Sequence, residues 1–245
     1  MRIILLITGL FLLSSVNAEE SKWTFILEGG AVYQTRNDVQ IPPTTGTRFS
    51  LVDAIGQGPL PYIRFETKYK LDNKQRLRLL IAPLAIEETG QLSVPVNFDG
   101  GSFLANTPTT YRYQFNSYRL SYAYRYFEDA SSSFDIGFTA KIRDADIALT
   151  QGATKSNYPN VGFVPLLHLA AEKRLSPKWR IESDLDAAWS PYGRAFDLGV
   201  FAHYKLDNTW DLGAGYRTVE GGADGDRVFS FAWLHYAGLR LQAKF

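Results

Sequence analysis

This 245-residue chain offers few groups able to do covalent chemistry. It has no cysteine and three histidines, so nucleophilic catalysis would have to use a hydroxyl activated by His168, His203 or His235. Asp184 and Asp186 share one parity of an alternating segment, as a pair of water-activating carboxylates would. A histidine base would have to meet them, yet His203 falls toward the opposite end of the next segment, with Asp197 on the nearer side. The three histidines are far apart in sequence and on different faces, so no metal-ligand spacing exists and no cofactor is implied.

The charged residues make a clearer pattern than the histidines. Glu28, Arg64, Glu66, Lys68, Arg119, Arg125, Asp135, Lys141, Arg143, Glu172, Arg180, Glu182, Asp184, Asp186, Asp211, Arg217 and Arg240 all lie on the polar parity of segments whose other parity is apolar. A period of two with one ionic and one greasy side is the pattern of a strand between lipid and an enclosed polar lumen. In a narrow barrel, long side chains of both signs projecting from facing walls would meet and pair.

The segment 179–189 gives the sharpest contrast: Trp179, Ile181, Leu185, Ala187 and Trp189 alternate with Arg180, Glu182, Asp184 and Asp186. Trp23, Tyr33, Tyr69, Tyr126, Trp179, Trp189, Tyr204, Trp210, Trp233 and Phe245 fall at the ends of apolar runs, as an interfacial aromatic girdle would. A soluble sandwich or lipocalin-like barrel also alternates, but it would enclose its apolar parity. Here the segments match or exceed the ~9–11 residues needed to cross a bilayer, and tryptophan and tyrosine at their ends favour the membrane.

The alternation predicts strands over 23–35, 60–71, 75–87, 111–127, 134–149, 161–174, 179–189, 196–206, 210–218 and 228–245. That is an all-β, antiparallel, up-and-down transmembrane barrel of about ten strands, with eight and twelve as the neighbouring counts. Pro83 and the doubly apolar Leu79-Leu80-Ile81 make the third strand the least regular. Connections alternate between short ones, such as Asp72-Asn73 and Asp207-Asn208, and longer ones over 37–58, 88–109, 150–160 and 220–226. Short connections on the periplasmic side would put both termini there. The loops 37–58 and 88–109, with Phe49, Phe98 and Phe103, then read as solvated extracellular surface.

Residues 1–18 have the form of an export signal: Arg2, an apolar run over 3–13, and Val16-Asn17-Ala18 before Glu19. The domain expected after cleavage is 19–245. With no cysteine there is no lipidated N-terminus or disulfide framework. A net charge of +1, from 26 basic and 25 acidic residues, argues against nucleic acid as a partner.

The C-terminal Phe245, preceded at alternating positions by Ala243, Leu241 and Leu239, resembles the assembly signal of bacterial outer-membrane barrel proteins. That resemblance implies an outer-membrane location, the barrel-assembly machinery as a partner during biogenesis, and contact with outer-membrane lipid and lipopolysaccharide. A monomer is the expected state. A shorter resemblance surrounds His235: outer-membrane lipid A deacylases carry a membrane-facing histidine with a nucleophilic serine two residues later, whereas this chain has Ala237. The expected function is therefore a non-catalytic structural or surface-exposed barrel with an ion-paired lumen. A narrow, low-conductance pore is the alternative, and a membrane-embedded lipid hydrolase the remoter one.

Overall fold

The computed structural model describes residues 21–245, so the expected signal segment 1–18 lies outside the described residues. The elements run β1 (Trp23–Gln40), β2 (Phe49–Ser50), α1 (Leu51–Ile55), β3 (Leu60–Lys70), β4 (Gln75–Ala82), β5 (Ala85–Gly90), β6 (Val96–Phe98), β7 (Gly101–Phe103), β8 (Thr109–Glu128), β9 (Ser132–Gln151), β10 (Thr154–Arg174), β11 (Trp179–Ser190), β12 (Gly193–Lys205), β13 (Trp210–Asp224) and β14 (Phe229–Lys244). Neighbours pair antiparallel in chain order, and β14 pairs with β1, which closes the sheet. β2 is a two-residue addition to β1, and β5 continues the line of β4 along β8 after a break at Pro83-Leu84. The wall therefore has the ten staves that the alternation predicts.

Both described ends of the chain lie at one rim, where Trp23 exchanges backbone hydrogen bonds with Phe245 at 2.8 and 2.9 Å. The four connections at this terminal rim are tight turns, and each is fixed by a side chain accepting from backbone N–H groups two and three residues ahead. Asp72 accepts from Lys74 and Gln75, Asp129 from Ser131 and Ser132, Ser176 from Lys178 and Trp179, and Asp207 from Thr209 and Trp210. The Lys74 and Gln75 amides hold the exposed Asp72 carboxyl below its ordinary range.

The outer face is apolar through its middle: Leu27, Ile63, Phe65, Leu79, Leu120, Phe138, Leu167, Ile181, Val200, Leu212 and Leu239 are all exposed. Trp23 packs on Tyr69 at 4.4 Å and Trp179 on Tyr204 at 5.1 Å near the terminal rim. With Trp210, Tyr126 and Phe245 they ring that end of the belt, while Tyr33, Trp189 and Trp233 stand at its other edge.

The distal half departs from the sequence expectation in three ways. First, β1 continues to Gln40, because an extra residue at Thr35 shifts its register against β14. Inward positions are even-numbered before the bulge (Glu28, Val32, Gln34) and odd-numbered after it (Asn37, Val39), so a strict period of two loses the strand there. Second, 150–160 and 220–224 are strand rather than loop: β9 and β10 join through residues 152–153, and β13 runs to Asp224. Above the belt the outward positions of β9 turn polar, at Asp144 and Asp146, so the contrast between faces vanishes while the ladder continues.

Third, the segments at 41–59 and 91–108 are a lid rather than solvated loops. Phe49, Phe98 and Phe103 are buried, with Ile41, Leu51 and Val96, against inward residues Val32, Tyr111, Ile147, Leu149 and Leu234 of the wall. The β6–β7 hairpin is stitched to the first segment by Thr47 N–H to Asn97 O at 2.8 Å and Asp99 N–H to Ile41 O at 2.9 Å. Gln34 holds α1 in place through its amide N–H to Gly56 O at 2.7 Å. Truncating the fully buried Phe98 should cost the lid about 3–5 kcal/mol. We expect Phe98→Ala to sensitise 91–108 to protease in refolded protein, while the barrel keeps its heat-modifiable migration on gels.

Candidate functional site

Below the lid, the lumen is crossed by a layer of ion pairs. Glu28 of β1 faces Arg240 at 2.8 Å and Arg217 at 3.4 Å, and accepts from Tyr62 Oη at 3.1 Å. Arg217 pairs with Asp184 at 2.9 Å and Asp197 at 2.5 Å, and Asp197 is shared with Arg64 at 3.1 Å and Arg119 at 2.7 Å. Asp186 collects Arg119 at 2.6 Å, Arg78 at 3.0 Å and His168 Nδ1 at 2.7 Å. Arg78 reaches on to Glu66 at 2.9 Å, Lys68 bridges Glu66 and Glu182, and Arg180 joins Glu182 at 2.9 Å to Asp211 at 2.7 Å.

Seven cations (Arg64, Lys68, Arg78, Arg119, Arg180, Arg217, Arg240) thus meet seven carboxylates (Glu28, Glu66, Glu182, Asp184, Asp186, Asp197, Asp211) in one connected set. Enclosed charges are tolerated when paired, and here each of the fourteen has an opposite charge within 4 Å, with Glu172 and Lys244 extending the set at the terminal rim through Arg180 and Asp211. The packing is close: Arg217, His203, Asp211 and Asp186 have at most 1% of their surface accessible.

Of the residues singled out by sequence, two sets stand apart from this layer and Glu172 touches only its edge. Arg125 and Asp135 pair near the terminal rim with Glu128 and Arg76. Glu172 lies at the same rim, 3.4 Å from Arg180. Lys141 and Arg143 of β9 sit above the layer and line a cavity of about 430 Å³, with Tyr113, Phe115, Ile147, Val219 and Leu234 as apolar wall. Lys141 is buried with its ammonium 4.7 Å from the Phe115 ring centre, and Arg143 donates to Asn160.

Parity also places Asp197 and His168 inside, but their roles as the hub of Arg64, Arg119 and Arg217 and as the partner of Asp186 depend on which staves face each other across the lumen. Arg78 escaped notice because Leu80, the next inward residue, is apolar and buried, which blurs the alternation of β4.

The remaining histidines are held in two different ways. His203 is wholly buried near the terminal rim, 3.6 Å from Glu182 and apart from Asp184 and Asp186, as its strand position implies. His235 faces outward in the distal girdle. Its Nε2 is 2.9 Å from Thr35 Oγ1, its Nδ1 contacts Tyr216 Oη, and its ring packs against Trp233 at 5.3 Å. The bulge thus supplies a hydroxyl where Ala237 supplies none, on the outward face of the wall.

Neither a scan against protein-family models nor a search of curated proteins gives a match. Among solved structures, the chain is similar to the outer-membrane protease OmpT of Escherichia coli, with a TM-score of 0.56 and 9% identity over 94% of this chain and 99% of that one. Weaker likenesses are to the translocator domain of the autotransporter NalP of Neisseria meningitidis (0.40, 10% identity, 94% and 90% covered) and to Ail of Yersinia pestis (0.38, 9% identity, 91% and 99% covered). The fold is that of a bacterial outer-membrane β-barrel. In such a barrel lipid replaces water outside, every wall hydrogen bond is made between strands, and the lumen is where ionic groups can be enclosed.

Removing one member of a buried pair leaves its partners uncompensated at a cost of about 3–5 kcal/mol. We expect Arg217→Ala, which takes away the cation that Asp184, Asp197 and Glu28 share, to lower the unfolding midpoint in urea far more than Arg194→Ala, whose Glu220 partner lies at the distal rim.

Proposed function

We propose that this chain is an integral outer-membrane protein, with both termini periplasmic, whose barrel is shut by its ion-paired layer and which acts without catalysis as a structural or surface-exposed element. The observation that carries this reading is the layer's completeness. Seven cations and seven carboxylates interlock across the lumen, and the central groups have almost no accessible surface. A conducting pore needs polar groups that can hand a solute or ion onward, whereas these groups already satisfy one another. The lid over the distal mouth adds a second obstruction.

The absence of catalysis rests on how the candidate groups are occupied. Asp184 and Asp186 are each held by two arginines, and His168 is enclosed with Asp186 rather than facing a cleft. A general base has to reach a substrate proton, and these do not. At the girdle, Thr35 and His235 stand within hydrogen-bond reach beside Tyr216 and Trp233, and in this reading the cluster anchors the wall at the interface.

Two measurements test this. Refolded protein in a planar bilayer should carry no steady current, whereas Arg119→Ala combined with Arg217→Ala should conduct; steady wild-type conductance favours the narrow pore instead. Lipid A from cells overproducing the protein should keep its mass. Loss of an acyl chain that disappears with His235→Ala would favour the hydrolase.

A further inference from the structure

The barrel wall is incomplete at one place. β10 pairs with β9 from Thr154 to Lys173, but with β11 only from Leu167↔Ala187 down to Arg174↔Arg180. Above that point residues 154–166 have no neighbour on the β11 side, while Ala188, Trp189 and Ser190 pair only with β12. Prolines suit this edge, since a proline has no N–H for a ladder and is tolerated in a strand where that side is unpaired; Pro159 and Pro165 both lie in the free stretch. The opening begins within the apolar belt, where Phe163 stands beside Ile142 and Ile142 beside Tyr118, and rises past it to the level of Asp144.

The 430 Å³ cavity lies behind this opening and is lined from both banks, by Phe163, Pro165 and Leu166 on one side and Ala188 and Trp189 on the other. Its volume is within the ~300–1,000 Å³ range of small-molecule sites. Its floor is the neutral layer, at Arg119, Asp186 and Asp197. Its charge, however, is not neutral. Each cation of the layer faces a carboxylate, whereas Lys141 and Arg143, both in the cavity wall, have no carboxylate at ion-pair distance among the described residues. Lys141 is 4% exposed, and Arg143 has a buried Nε without a hydrogen-bond partner. The Arg143 guanidinium lies over Gly162 of β10, where a Cβ would approach it to 3.1 Å, so this cation is carried to the edge of the opening.

We infer that the gap between β10 and β11 is a lateral portal through which a long-chain amphiphile with an anionic head passes from the bilayer into the cavity, its tail against the apolar wall and its carboxylate or phosphate on Lys141 and Arg143. This rests on the membrane-barrel reading but is independent of whether the layer beneath conducts. An apolar tail gains by leaving water yet loses little by leaving lipid, so selection falls to the head, which finds the buried Lys141 amine and the half-buried Arg143 guanidinium without a carboxylate at ion-pair distance.

The test uses the full protein in nanodiscs with cis-parinaric acid, a fluorescent long-chain carboxylate, as probe and its methyl ester as the uncharged control. We expect saturable binding of the acid, weakened about tenfold or more by Lys141→Met and retained by Lys141→Arg, as a lost charge-assisted contact requires. Palmitate and lysophosphatidic acid compete in separate arms, and the better competitor tells a free fatty acid from a lipid-derived phosphate. Because the chain has no cysteine, Pro165→Cys with Trp189→Cys can be bridged across the opening by a bismaleimide, which should slow association about tenfold or more while heat-modifiable migration persists. No binding, equal binding of the methyl ester, displacement by neither competitor, or indifference to Lys141→Met would overturn the site. An unchanged association rate in the bridged variant would overturn the portal. Steady conductance with intact binding would count against the closed-barrel reading alone.

Discussion

The constraint on which this molecule depends is that charge must be neutralised inside a wall whose exterior is lipid. Strand alternation leaves no choice about where the ionic parity goes, because a sheet with an apolar outer face encloses its other face. Seven arginines and lysines and seven carboxylates from eight of the ten staves then hold one another. Contacts such as Arg64–Asp197 and Arg78–Asp186 cross the lumen between staves distant in sequence. The layer therefore acts as a tie between opposite walls as well as a seal.

Above the layer the interior changes character. The inward residues of β1, β5, β8, β9 and β14 become Val39, Ile86, Tyr111, Leu149 and Leu234, and the lid contributes Phe49, Phe98 and Phe103 to the same apolar cluster. The upper half is thus held as a soluble protein is, by burial of apolar side chains, while the lower half is held by ion pairs. The cavity lies where the two regimes meet, with apolar walls and an ionic floor. That junction is also where β10 and β11 part.

The lower half was legible in the sequence because only there do both faces of each strand differ strongly. Trp179 to Trp189 reads directly as a span, and the lumenal parity of Glu28, Arg64 and Arg240 follows from it. The upper half was not legible, for identifiable reasons. Outward Asp144 and Asp146 meet water and erase the contrast of β9, the extra residue at Thr35 inverts the parity of β1, and the lid phenylalanines sit among Pro, Thr and Gly that read as loop. Pairings across the lumen were beyond reach altogether, since parity says which face a residue takes and nothing about which distant residue it meets.

The bulge at Thr35 has one more consequence. A single inserted residue lets β1 offer Glu28 to the ion layer and then, half a repeat out of step, Val39 to the enclosed apolar cluster, while releasing its own hydroxyl toward His235 on the outside. The strand that completes the cylinder with β14 is therefore also the hinge-pin of the cap, since Ile41 and the residues after it depart from its far end into the lid. Closing the cylinder and seating its cap thus share one strand: the register that joins β1 to the final strand also sets where the first cap segment leaves the wall.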